Sequence, residues 1–128
     1  MQRVDQTING DGEEGRPVGN CWQACIASLL DMPIDQVPHF ARDEPEWWFY
    51  KTCLFVLRQT GYNLGCFNPD FPITEPGGYV IATGRSPRGD YSHSVILDGV
   101  TGELAHDPHE SRAGLEGPPV DVFCFVDV

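Results

Sequence analysis

Basic residues are scarce: the 128-residue chain carries 8 Lys and Arg against 19 Asp and Glu, a formal net charge of −11. Nucleic-acid backbones and anionic membrane faces repel such a surface, so neither is an expected partner. The acids are scattered rather than gathered into runs, which argues against a surface mimicking nucleic acid. No apolar run approaches the length that spans a bilayer. The opening stretch MQRVDQTINGDGEEG has no apolar segment of the secretory kind, so the expected location is cytoplasmic. No C-x-x-C pair occurs among the five cysteines, and their odd number without secretory context speaks against a disulfide framework. Internal repeats are also absent. What is present, 41% apolar residues in a chain of ordinary domain length, predicts one domain over 1–128 with a real core.

The acidic, Gly-rich stretch from Asn9 to Gly19 reads as a loop. A helix is predicted to start at Cys21, with Asn20 as its N-cap and Trp22, Cys25, Ile26, Leu29 and Leu30 forming one apolar face. Pro33 stops it. MPIDQVPHF reads as a short helical turn with Ile34 and Val37 inward. A second long helix is expected from about Pro45 to Thr60, with acids crowding its start and Gly61 just past its end. After Gly61 the period changes. YNLGCF, GYVIATG, HSVILDG, GELAHD and VDVFCFVDV read as short strands, and LDGVTGEL is a hairpin signal. Helices first and strands after predict an α+β fold, an antiparallel sheet with helices packed on one face.

This order permits cysteine chemistry. The positive end of a helix favours a thiolate, and Cys21 stands where that effect is largest. Cys21 is a candidate nucleophile, with a small core residue and a metal ligand as the competing readings. Cys53 and Cys124 lie in apolar runs and read as core; Cys66 reads as the end of a strand. A thiolate needs a base that titrates near neutrality. His93 opens a strand whose start can face a helix N-terminus. If 93–98 and 101–106 pair as a hairpin, Asp107 falls beside His93 and can orient the imidazole.

These pieces together resemble a papain-like cysteine peptidase. The likeness is nearest to small bacteriocin-processing peptidases and to phage and bacterial proteins of similar length. It is carried by GNCWQACIASLL, HSVILDG and HDPHESRAGL, over about 18–31 and 91–115. The resemblance implies a cysteine-dependent amide or peptide hydrolase or acyl transferase, with Cys21 as nucleophile, His93 as general base and Asp107 as orienter. No cofactor or metal is implied, and the partner is a peptide, protein or small amide substrate. The oxyanion glutamine that such peptidases carry shortly before the cysteine has no counterpart in Gly15–Asn20. Gln6 is the first candidate to replace it, if the acidic loop is an insertion, and Asn20 is another. Trp22, Trp47 and Arg88 are candidate substrate contacts, Arg88 within GRSPRGD, which reads first as a simple connecting loop and, as the functional alternative, as a flap over the cleft.

Two other readings stand beside the enzyme. His93, His106, Asp107 and His109, with Cys21, could form a zinc site, although His106 and Asp107 point to opposite faces of a strand. Alternatively the chain is an inactive papain-like scaffold that binds or inhibits a partner, using its acidic surface and the run Trp47–Tyr50.

Overall fold

The computed structural model describes residues 1–72 and 78–127. Helix α1 spans Cys21–Leu30, a 3-10 turn Ile34–Gln36, α2 Phe40–Asp43 and α3 Trp48–Thr60. The strands are β1 Asn63–Phe67, β2 Tyr79–Arg85, β3 Ser92–Asp98, β4 Leu104–His106 and β5 Glu116–Val126. They form one antiparallel sheet in the order β1-β5-β2-β3-β4. The fold is α+β as the sequence predicts. Val128, the last residue of the predicted final strand, lies outside the described residues. Among the described residues no helix is long and apolar enough to cross a membrane.

Helix α1 forms where its apolar spacing allows burial against β3 and β2. It ends before Pro33: Asp31 turns left-handed at φ 54°, and its N–H reaches back to the carbonyls of Ala27 and Ser28. Trp22, Cys25 and Ile26 pack with Val56, Ile81, Ile96 and Phe123 in the main core. The opposite sheet face is apolar too. Val80, Ala82, Val95, Leu97, Val122 and Cys124 are buried there, packed against Phe71 and Leu115. Both faces of the central strands are therefore covered, one by helices and the other by loop segments, which is why these strands read as nearly unbroken apolar runs.

Three expectations need correction. Asn20 makes no side-chain cap hydrogen bond at α1. The long helix begins at Trp48, not Pro45, and no acid lies in its first turn. Residues 44–47 are used in a turn closed by the Trp47 N–H on the Glu44 carbonyl (3.1 Å). Just before it, α2 is a helix the sequence reading missed. Its cap is His39: the residue is 4% exposed, Nδ1 accepts from the Arg42 N–H and Nε2 meets the Val18 carbonyl. Cys66 lies within β1, exposed, rather than at its end.

Candidate active site

The site begins with the chain's first nine residues, which run along α1. The Val4 N–H donates to Ser28 Oγ (2.9 Å), and the N–H groups of Thr7 and Ile8 both donate to Asn20 Oδ1 (2.9 and 2.8 Å). The Gln6 N–H donates to the Pro108 carbonyl (3.0 Å). Between this segment and α1, residues 10–19 double back. Gly12 N–H bonds to Pro17 O, Gly19 N–H to Gly10 O and Asn20 N–H to Ile8 O. The excursion depends on glycine at position 10, where a Cβ would lie 2.1 Å from the Pro17 oxygen. The acidic loop is thus an excursion that returns to its start, and Gln6, although 15 positions upstream in sequence, lines the same cleft as Cys21.

Asn20 holds this junction together. Buried at 2% exposure, its Nδ2 donates to Thr7 Oγ1 and Gln23 Oε1 while Oδ1 takes the two backbone N–H groups. Its amide is therefore committed to the fold, and Asn20 does not line the cleft; this corrects its candidacy as an oxyanion donor. Asn20→Ala is expected to lower stability by about 1–3 kcal/mol, because two backbone donors lose their acceptor. Urea unfolding of the variant measures this.

On the opposite side, β4 pairs only with Ile96 and Leu97 of β3, so Ser92–Val95 lies along the edge of the sheet. There His93 meets both partners. Its Nε2 lies 2.7 Å from Asp107 Oδ1, with both side chains almost fully buried. Its ring also acts on the Cys21 thiol, which lines the same cleft. With Nε2 committed to Asp107, Nδ1 is the nitrogen left for sulfur. Asp107 lies just beyond the end of β4, where its carboxylate is satisfied on both oxygens. Oδ1 also accepts from the His109 N–H (2.9 Å), and Oδ2 accepts from the Gly114 N–H (2.7 Å). Arg112 straps the turn: it donates to the Asp107 carbonyl and pairs with Asp5 on both carboxylate oxygens. His106 adds a second strap, its Nε2 lying 3.0 Å from the Val4 carbonyl and 3.3 Å from Asp5.

The electrostatics of this series point one way. Burial penalises a charged Cys21, but the neighbouring His93, with a smaller contribution from Ser94, outweighs it and brings the thiol below its ordinary value. Burial likewise disfavours a charged His93, yet Asp107 and Cys21 overcome it and push the imidazole up to about 9. For Asp107, the cost of burial is outweighed by His93 and by the two backbone donors, and its carboxyl is lowered. Cys25, one turn along α1, is fully buried, and burial pushes its thiol well up.

Cys21 and His93 open onto a cleft of roughly 630 Å³. One wall is aromatic. Trp22, its indole N–H bonded to Thr52 Oγ1, stacks edge-on against Trp48 (5.1 Å) and Phe123 (4.9 Å). Trp47, a predicted substrate contact, does not line the cleft and is 60% exposed; it closes the turn before α3, and its neighbour Trp48, the first residue of the helix, takes that place by packing on Trp22 and Phe123. Arg88 lines the cleft as expected. Arg85, also in GRSPRGD, instead pairs with Asp90 and Glu116. The Nε2 of Gln6 donates to the Ile8 carbonyl and Asn9 Oδ1, and its buried Oε1 has no partner.

Sequence reasoning missed Ser94 and Tyr91 as cleft residues and considered His109 only as a metal ligand. Ser94 follows His93 directly, and alternation along a strand was the signal that could have set it on the face toward α1, with Ile96. Among the described residues no group of three or more His, Cys, Asp or Glu is arranged to hold a metal ion. Comparison with protein-family models, with curated proteins and with solved structures returned no match.

Proposed function

We propose that this chain is a cysteine-dependent amide or peptide hydrolase, or an acyl transferase of the same chemistry, with a papain-like organisation of helix, sheet edge and cleft. The observation that carries the reading is the series Cys21–His93–Asp107 at an open cleft, with His93 hydrogen-bonded to Asp107 and electrostatically coupled to the Cys21 thiol. The thiol is lowered and the imidazole raised, both of which favour the thiolate–imidazolium form of the pair. The thiolate attacks the amide carbonyl, forming a C–S bond and an oxyanion. The backbone N–H of Cys21, in the first turn of α1 and without an intrahelical partner, donates to that oxyanion. Gln6 supplies a second donor by giving up its bond to the exposed Asn9 side chain. His93 passes its proton to the leaving nitrogen as the C–N bond breaks, leaving an acyl thioester on Cys21. Water, or another nucleophile in a transferase, gives a proton back to His93 and attacks the thioester, restoring the thiolate. Asp107 holds the imidazole in place throughout.

The reading predicts an acyl adduct. Incubating the protein with pooled peptides and small amides, quenching with acid and mapping masses by tandem mass spectrometry should find acylation on Cys21 and on none of the other four cysteines. Amide cleavage with no adduct at Cys21, or adducts spread over the exposed thiols, contradicts it.

A further inference from the structure

We propose that the cleft binds a carboxylate on the leaving-group side of the scissile amide, held by Arg88 and His109. The inference rests on the cysteine chemistry above and names its substrate class. In this acidic chain most arginines are spent on carboxylates: Arg16 on Asp11, Arg42 on Asp43, Arg85 on Asp90 and Glu116, and Arg112 on Asp5. Arg88 is different. It lines the cleft and, among the described residues, makes no ion pair; its Nη1 donates only to Ser111 Oγ (3.1 Å).

The direction of the bonds beyond Ser111 matters. A guanidinium can only donate, so Ser111 Oγ accepts from Arg88 and turns its own hydrogen toward His109 Nδ1, 2.9 Å away. The Ser111 N–H also donates to Nδ1 (3.0 Å). Nδ1 is therefore an acceptor, and the proton of the neutral ring sits on Nε2. Burial and the nearby Arg88 charge both keep His109 below its usual value, consistent with a neutral ring. Nε2–H and the remaining guanidinium N–H groups have no acceptor among the described residues. The result is a wall of donors without acceptors, which suits a carboxylate. The two acids of the cleft do not occupy it: Asp11 is bound to Arg16, and Asp121 makes no ion pair with Arg88.

Position gives the side of the substrate. The rings of His93 and His109 lie edge to face with centroids 6.3 Å apart. His93 gives its proton to the leaving nitrogen, so a group beside His109 belongs to the part of the substrate that leaves. The carboxylate is then within about one residue of the scissile bond. It is either the terminal carboxylate of the leaving amino acid or an acidic side chain on it. Acylation of Cys21 releases that fragment as a free amine with its carboxylate intact, the amine proton coming from His93.

Iodoacetate and iodoacetamide test this without a known substrate. Both alkylate a thiolate by forming a C–S bond and releasing iodide, and they differ in carrying a carboxylate or a neutral amide. The iodoacetate-to-iodoacetamide rate ratio at Cys21 should exceed that of the neutral thiol 2-mercaptoethanol by about three- to fivefold, the size of an exposed ion pair. Arg88→Gln should remove the part of the excess that the His93 imidazolium does not supply, and Arg88→Lys should keep more of it. A ratio equal to that of the free thiol, or one indifferent to Arg88→Gln, overturns the carboxylate site while leaving the cysteine chemistry standing. Inertness of Cys21 to both reagents overturns the two together. N-acetyl dipeptides, one with a free terminal carboxylate and one with an aspartate side chain and an amidated terminus, distinguish the sources by which protects Cys21 from iodoacetamide. Equal protection by a neutral, amidated dipeptide contradicts the site.

Discussion

Cys21→Ala is expected to remove amide cleavage by a factor on the order of a thousand or more, because nucleophile and base act as one unit. Nothing nearby can take over. Cys25 lies one turn further along the helix, fully buried, with its thiol pushed well up. The fold should survive, since Cys21 is only partly buried at the cleft and α1 is held by Trp22, Cys25 and Ile26 rather than by Cys21. His93 loses one of the groups that raise it, but Asp107 remains. Steady-state cleavage rates beside a thermal melt check the two halves together: activity gone, midpoint nearly unmoved. Cleavage that persists in the variant contradicts the mechanism.

Asp107→Asn is expected to reduce kcat/KM by on the order of 10²- to 10⁴-fold, the range seen when a triad carboxylate is neutralised. The structure also predicts a cost in stability. Asp107 accepts three hydrogen bonds, from His93 and the His109 N–H on one oxygen and from the Gly114 N–H on the other. An asparagine has one acceptor oxygen, so its NH₂ must face a donor, at a cost of about 1–3 kcal/mol. The pH dependence separates positioning from packing. In the wild type His93 stays protonated up to about 9, so the basic limb of the rate profile lies near there. Without the carboxylate charge the imidazole falls, and that limb moves to lower pH.

Stability carries the same signature. The folded value of His93 lies above its ordinary 6.5, so its contribution is complete below that and is lost as pH rises through about 9. The value for Asp107 lies below its ordinary 3.8, so its contribution is present above that and is lost as pH falls further. Urea midpoints across pH should show both losses in the wild type and neither at full size in Asp107→Asn. A basic limb that stays in place in the variant contradicts the assigned role.

Local chemistry made much of the fold legible. The spacing of Trp22, Cys25, Ile26 and Leu29 marks α1, the Gly61 turn marks the end of α3, and the five strands emerge in the predicted order, although β4 keeps only Leu104–His106 and β5 starts at Glu116 rather than Val120. The juxtaposition of His93 and Asp107 followed from counting a hairpin, although the ladder is shorter than assumed and Asp107 sits beyond its end. What could not be read from sequence was mostly tertiary. Asn20 looks like a helix cap because its side chain is the right kind; it is claimed instead by Thr7 and Ile8, whose approach depends on the doubling back of residues 10–19. Trp47 and Trp48 are equivalent in composition, and only packing against Trp22 and Phe123 selects Trp48. His39 and Phe40 gave no helical period, since a four-residue helix is too short to show one. The donor wall of Arg88, Ser111 and His109 joins a loop after β2 to the turn after β4, a contact across 23 positions that no local pattern encodes.

The central claim is that Cys21 and His93 form a thiolate–imidazolium pair, and the pH dependence of Cys21 alkylation by iodoacetamide tests it most directly. Rates are read by mass spectrometry at each of the five cysteines, in wild type and in His93→Ala. The account predicts that wild-type Cys21 reacts at pH values well below the ordinary thiol value of 9.0 and faster than the exposed Cys66. In His93→Ala the imidazolium charge beside the thiol is gone while burial remains, so the reactive limb should shift to higher pH and the advantage should vanish. A Cys21 that titrates like Cys66 in the wild type, or one whose profile is unchanged in His93→Ala, would contradict the pair and the chemistry built on it.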